Sequence, residues 1–438
     1  MRAGRPTGGR GRAAAATVSS KQNAHLTQRE NREAGRHGWL RLTPAYSHRL
    51  VADALAEHAG AGAVVLDPFS GSGTTGVVAA EQGLRTHLVD LNPFLVWLAG
   101  AKTRAYTEQE LQRALEVGTE VAHRVGQLGA DGLWQPALHR IERWWPPAEL
   151  AALKVLRHLL DEAAPELSTP VADLLRVTLC RTLIEVSNAA FDHQSMSFAG
   201  DHRGVPGVSH AAPRPTPTGG SDGGATRAAW HAALGLVVTS ARAPLDGEAH
   251  VHLGDARDLA TSLSEPVDLL YTSPPYANRM SYVRELRPYM YWLRYLTEPA
   301  DAGELDWRAI GGTWGVATSR VGAWEPDEPL PLQGEVTRTG AAIRGTGGRN
   351  ADLLARYVHK YVDDMWRHFR SAGEVVRSGG RVVYVVGNST FFGQLVPVQD
   401  WYAALLAEAG FADVSVRTIR KRNSNKALYE YAVEARRP

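Results

Sequence analysis

Short apolar runs, several of them rich in β-branched residues, punctuate this chain: Val64-Val65-Leu66, Arg85 to Val89, residues 249–253, Val267 to Tyr271 and residues 381–386. Continuous apolar runs of this length, bounded by turn formers, predict strands buried on both faces of a sheet. Near the end, Val414 to Ile419 and Leu428 to Val433 alternate after the Gly410-Phe411 turn. They predict an antiparallel hairpin closing that sheet. Between the second and third runs the period changes. Glu108 to Gly129, Pro147 to Ala163 and Val171 to Ser187 carry apolar residues at three-to-four spacing, and residues 227–243 do so again. These read as helices. Residues 199–226, rich in Gly, Pro and Ser, read as a loop. Residues 297–350, with Pro, Gly and Trp and little periodicity, read as an irregular insertion. The pattern is that of an α/β chain with a mostly helical insertion.

Two segments stand out chemically. After Val64-Val65-Leu66 come Asp67-Pro68-Phe69-Ser70-Gly71-Ser72-Gly73-Thr74-Thr75-Gly76 and a helical stretch. A strand, a glycine-rich turn and a helix start make a ligand cradle, because glycine lets backbone approach and the helix start offers free N–H groups. The next strand ends in Asp90, placed to accept from ribose hydroxyls. The second segment, Thr272-Ser273-Pro274-Pro275-Tyr276, follows an apolar strand. Proline fixes φ, carries no N–H and pushes its predecessor to extended geometry. The tip is therefore stiff, with carbonyls free of competing amides. It can accept from an exocyclic NH₂ while Tyr276 stacks on the ring.

Together the two motifs resemble the S-adenosylmethionine-dependent amino-methyltransferases that methylate cytosine or adenine in nucleic acid. The resemblance covers residues 38–105 and 250–296, and more loosely 355–435. It implies a Rossmann-like methyltransferase fold, a mixed seven-stranded sheet with helices on both faces. The catalytic domain would be discontinuous, 38–104 and 249–438. Trp39 to His58 resembles the helix before the cofactor strand, His252-Leu253-Gly254-Asp255 the third cofactor motif, and Val382 to Ser389 the fifth strand. S-adenosylmethionine is then expected against Asp67, Phe69, Gly71, Gly73, Thr74, Thr75, Asp90, Asn92 and Asp255, with Asp255 near the adenine amino group. Ser273, Pro274, Pro275 and Tyr276 become the catalytic tip. Hydrogen bonds from the amine to Ser273 Oγ and the Pro274 carbonyl would localise its lone pair for in-line attack. The target base would first have to leave the duplex. Serine before Pro-Pro-Tyr favours cytosine N4, with adenine N6 sharing the chemistry. DNA is the expected partner, RNA the alternative, and any restriction or defence partner would be a separate protein. A nicotinamide oxidoreductase with the same Gly-x-Gly-x-x-Gly pattern is the remote alternative.

The layout departs from common family arrangements, since the large insertion falls between the second and third strands. Either 105–248 or 297–350 is placed to read the target, and size favours 105–248. At 438 residues with 44% hydrophobic content, the chain can bury a full α/β core and one added module. Its net charge of +2 hides a concentration of Arg and Lys in residues 1–36. Residues 1–37 are expected to be a disordered basic tail. The single cysteine, Cys180, lies in an apolar helix, which excludes a disulfide framework and disfavours ring-carbon methylation through a cysteine. His193 and His202 lack metal-ligand spacing, so no metal is expected. No apolar run approaches the roughly 18 residues of a membrane helix, and residues 1–36 lack a signal-peptide core. The expected location is cytoplasmic. Arg420 to Lys426 forms a basic stretch between the last strands, and Arg284, Arg287 and Arg294 interleave with aromatics after the catalytic tip.

Overall fold

The computed structural model describes residues 26, 28–40, 42, 46–190, 197–198, 223–278, 281–313, 316–422 and 427–438. His193, His202 and most of the 199–226 loop lie outside them. The chain enters through two 3₁₀ turns, Gln28–Glu33 and Gly35–Gly38, and helix α1 (His48–His58). Strand β1 (Val64–Asp67), α2 (Thr74–Glu81), β2 (Arg85–Asp90) and α3 (Pro93–Thr103) follow. The helical insertion contributes α4 (Glu108–Val125), α5 (Ile141–Trp144), α6 (Pro147–Ala163), α7 (Thr169–Glu185), a short ladder of β3 (Ala189–Ala190) and β4 (Ser197–Phe198), and α8 (Gly224–Ala241). The sheet resumes with β5 (Glu248–Leu253) and β6 (Val267–Thr272). Then come α9 (Val283–Trp292), α10 (Pro299–Arg308), α11 (Val316–Ala323), α12 (Gln333–Gly345) and α13 (Ala351–Val375). Strand β7 (Val376–Gly387), a hairpin of β8 (Ser389–Phe391) and β9 (Gln394–Val396), α14 (Val398–Glu408), β10 (Ala412–Lys421) and β11 (Tyr429–Arg436) complete the chain.

The main sheet has seven strands in the order β10-β11-β7-β6-β1-β2-β5. Strands β5, β2, β1, β6 and β7 are parallel, and β11 runs antiparallel between β7 and β10. This is the Rossmann-like methyltransferase architecture. The order reverses between β1 and β6, where Val65 pairs with Leu269 and Leu66 with Leu270. Such a switch point opens a crevice at the carboxyl ends of the strands. Asp67 and Thr272 end their strands side by side there.

Three expectations are corrected. Residues 28–37, read as part of a disordered tail, are ordered, with Asn31, Arg36 and His37 buried. The helix expected from Trp39 starts only at His48, after the N-cap Ser47. Trp39 itself is fully buried, its Nε1 donating to Ser240 Oγ at 2.7 Å. The 297–350 insertion, read as irregular, carries three helices. Their apolar positions are too sparse to form a stripe, but α10 is started by Pro299 and by a capping box between Glu298 and Asp301.

Arg36 explains why the entrance segment is fixed. Its guanidinium donates to the carbonyls of Lys102 at 3.1 Å and Ala243 at 2.9 Å, and also to those of Arg104 and Ala241. These are the carboxyl ends of α3 and α8, where carbonyls lack intrahelical partners and the helix dipole is negative. One cation thus staples a sheet-flanking helix to the helical insertion. Arg36→Ala leaves those carbonyls buried and unmet, and should cost about 3 kcal/mol. An unchanged urea midpoint in that variant would remove the staple.

Candidate active site

A cavity of about 400 Å³ lies over the switch point. It is continuous from the glycine-rich loop to the catalytic tip. Ser70, Gly71, Ser72 and Asp90 line one end, and Ser273 to Tyr276 the other.

The loop geometry comes from two left-handed glycines, Gly71 at φ 50° and Gly73 at φ 77°. A side chain at Gly73 would also sit 3.0 Å from the Ala99 backbone on α3. Gly73 therefore lets the turn pack against α3. The buried carboxylate of Asp67 organises this end. Its Oδ2 accepts from Thr75 Oγ1 at 2.5 Å and Tyr46 Oη at 2.9 Å. Its Oδ1 accepts from Thr272 Oγ1 at 2.6 Å and the Phe69 amide at 3.1 Å. Burial pushes the Asp67 carboxyl up, and hydrogen bonds led by that from Thr272 work against the rise. Asp67, Gly73 and Thr75 were expected on the cofactor, but they stand behind the cavity wall and fix its shape. Phe69 and Thr74 do line it, Phe69 edge-on to the buried His368 with ring centroids 4.9 Å apart.

Asp90 faces the cavity from the end of β2. Its Oδ2 accepts from the Gly71 amide at 2.9 Å and its Oδ1 from the Asn92 amide at 2.8 Å. Each oxygen keeps a lone pair for a ligand hydroxyl. Burial pushes its pKa up to about 7, against the pull of those amides. Asn92 also lines the cavity, but its Oδ1 caps α3 through the Phe94 amide at 3.0 Å. Asp255 lines the same wall with its carboxylate gripped by Arg257, at 2.9 Å from Nε and 2.7 Å from Nη2. Arg257, rather than a ligand, is therefore the first partner of Asp255.

At the other end, the Pro275 carbonyl accepts from Tyr361 Oη at 2.8 Å, and Tyr361 meets Tyr402 Oη at 2.7 Å. No described residue occupies the Pro274 carbonyl. The tip is thus anchored through one proline and open at the other. The Tyr276 amide donates to Tyr282 Oη at 2.9 Å, and Tyr276 Oη donates to Glu430 Oε1 at 3.2 Å. Arg420 pairs with the same carboxylate, with Nη2 2.8 Å from Oε1. The Arg422 guanidinium lies over the Tyr276 ring, 5.6 Å from its centroid. Both rely on Gly387, where a side chain would sit 3.1 Å from the Tyr276 ring. Burial holds the Tyr276 phenol well above its usual range, so it stays a neutral donor.

Sequence reasoning missed Tyr46, Arg257, Tyr361 and the Leu305 to Ile310 segment at the end of α10, which contributes to the cavity wall. None carries a local signal, since each is brought in from a separate element. The described residues of 105–248 contribute nothing to the lining. Among the described residues, no group of three or more His, Cys, Asp or Glu side chains is arranged to hold a metal ion, and no helix is long and apolar enough to cross a membrane.

Comparison with known proteins finds sequence similarity over part of this chain. Residues 23–100 match the N6/N4 methyltransferase family model, described as DNA methylase. The type II methyltransferase M.MjaII of Methanocaldococcus jannaschii is 34% identical over 79 residues, 18% of this chain and 15% of that one. The chain thus spans well under a fifth of the length of that curated relative. Among solved structures, TrmN from Thermus thermophilus aligns at 12% identity and TM-score 0.32, over 94% of this chain and 53% of that one. The rRNA methyltransferase AviRa from Streptomyces viridochromogenes aligns at 11% identity and TM-score 0.27, over 90% of this chain and 86% of that one. In its matched segment the chain resembles the amino-methyltransferases, and the methyl donor of that class is S-adenosylmethionine. The cavity fits that group, with the open lone pairs of Asp90 suited to a ribose and the loop amides at the start of α2 suited to a charged end.

One titration checks the Asp90 assignment. A protonated carboxyl cannot accept on both oxygens, so cofactor affinity should rise as pH rises through about 7. Asp90→Asn should bind more weakly, by roughly 1.5–3 kcal/mol, and without that pH dependence. Calorimetry showing a flat profile in the unsubstituted protein would remove Asp90 from the cofactor.

Proposed function

We propose that this protein transfers the methyl group of S-adenosylmethionine to the exocyclic amino group of a base in DNA, cytosine N4 in preference to adenine N6. The observation that carries the reading is the single cavity joining Asp90 and the glycine loop to Ser273 and the open Pro274 carbonyl. Bound S-adenosylmethionine supplies an electrophilic sulfonium methyl. Everything else falls to the chain's own groups.

An aromatic amine is a poor nucleophile because its lone pair is delocalised into the ring. Ser273 Oγ and the Pro274 carbonyl are the acceptors for its two hydrogens, and accepting both draws the nitrogen toward sp3 geometry and takes its lone pair out of conjugation with the ring. Nitrogen then bonds to the methyl carbon as the sulfur–carbon bond breaks, and the sulfur keeps that electron pair. The proton released from nitrogen leaves through Ser273 to water. The main contribution of the site is orientation, which the Tyr361 anchor on Pro275 secures. The Tyr276 ring, held by Glu430 and Arg422, is the stacking platform for a base that has left the duplex. The description DNA methylase for the matched family model and the type II methyltransferase relative support DNA as substrate. Serine ahead of Pro-Pro-Tyr supports cytosine, by resemblance.

The test is a product assay on purified protein with S-adenosylmethionine and either unmethylated DNA or total RNA. N4-methylcytosine in the digested DNA is the expected product. Methylated amines confined to RNA would overturn the DNA assignment. Tyr276→Ala should lower turnover about tenfold to a hundredfold, the equivalent of roughly 1–3 kcal/mol of base stacking. Its cofactor affinity should be retained. Unsubstituted rates in that variant would remove the platform.

A further inference from the structure

The turn that ends α10 joins the two halves of the site. Asp306, fully buried, accepts from Ser281 Oγ at 2.6 Å, just beyond the catalytic tip. Two residues on, the Arg308 carbonyl accepts from Arg257 Nη2 at 2.8 Å. Arg257 is the residue that grips Asp255, and its Nη1 reaches Asp364 on α13 at 2.6 Å. Lys360 Nζ completes the group, 2.6 Å from Asp364 and over the Trp307 ring at 4.9 Å. Asp255 and Asp364 are thus balanced by Arg257 and Lys360. The Arg308 side chain stands outside these pairs. It is exposed at the cavity edge, close enough to Asp255 to pull that carboxyl down after Arg257 does, and no described residue pairs with it.

We propose that the Asp306 to Ile310 turn is where this chain meets its target strand, with Arg308 taking a backbone phosphate of the DNA next to the methylated base. The inference rests on the DNA-methyltransferase reading above and moves target contact from 105–248, which size had favoured, to the 297–350 insertion. The two anchors, at Asp306 and at the Arg308 carbonyl, hold the backbone of this segment beside the cavity. An exposed cation with no ion-pair partner among the described residues, beside a base pocket, suits a polyanion that must present one nucleotide, since phosphate contacts set register without reading sequence.

The test compares the unsubstituted protein with Arg308→Ala and Arg308→Lys, using sheared DNA from a methylase-deficient host, with calorimetry for S-adenosylmethionine. Arg308→Ala should weaken DNA binding several-fold and flatten the dependence of log affinity on log salt by about one. Arg308→Lys should restore most of that slope. Cofactor affinity should be unchanged in both, which also shows that they fold. An unaltered slope in Arg308→Ala, or a loss of cofactor affinity in its place, would overturn the assignment. A slope change seen with RNA but not with DNA would overturn the choice of strand. If the unsubstituted protein methylates DNA and the variants match it in slope, this inference fails alone. If it methylates neither nucleic acid, the reading beneath it fails too.

Discussion

Four hydrogen bonds to one buried carboxylate hold this site together. Asp67 ends β1 and accepts from Tyr46 ahead of α1, from the Phe69 amide in the loop, from Thr75 at the start of α2 and from Thr272 at the end of β6. A buried carboxylate without partners is expensive, so the four donors are as constrained as the acid. Thr272 is the consequential one. It immediately precedes Ser273, so the bond fixing the glycine loop also fixes the root of the Ser-Pro-Pro-Tyr tip. The sheet order puts β1 beside β6, and Asp67 turns that adjacency into a defined spacing.

Other contacts extend the same constraint outward. Tyr361 holds the tip from below through the Pro275 carbonyl, leaving the Pro274 carbonyl to a ligand. Arg257 holds the far wall by gripping Asp255, Asp364 and the Arg308 backbone. Both draw on α13, the long helix that packs beneath the cavity and carries Tyr361, Asp364 and His368. Burial holds His368 down to about 4, so the ring under Phe69 stays neutral and adds no charge to the cofactor end. A rigid cavity with prepositioned acceptors is what a reaction limited by orientation requires.

Much of the frame was legible in the sequence because sheet burial leaves a local signature. The runs at 64–66, 85–89 and 267–271 fall inside β1, β2 and β6, and the closing hairpin falls on β10 and β11. Strand β7 begins five residues before its apolar run, since Arg377 to Gly379 lie on an exposed stretch with no hydrophobic signal. The three helices of 299–345 were hidden by Pro and Gly and by narrow buried faces. Arg36 was counted with a solvated tail, because a charge gives no local sign that two distant helix ends await it. The glycine loop and the Ser-Pro-Pro-Tyr tip announced themselves, but the division of labour within them did not. Asp67 and Thr75 brace the cavity, while Asp90 faces it as the end of its strand suggested. Arg257 and Asp306 are polar residues of ordinary appearance whose roles depend on distant partners, 51 residues away for Arg308, 25 for Ser281 and 107 for Asp364.

The most direct test of the account is a crystal structure with S-adenosylhomocysteine bound. The account predicts the ribose hydroxyls on Asp90 and the sulfur turned toward Ser273 and the Pro274 carbonyl. Asp67 should remain behind the wall, untouched by ligand. A ligand seated elsewhere, or one whose sulfur faces away from the Ser-Pro-Pro-Tyr tip, would contradict it.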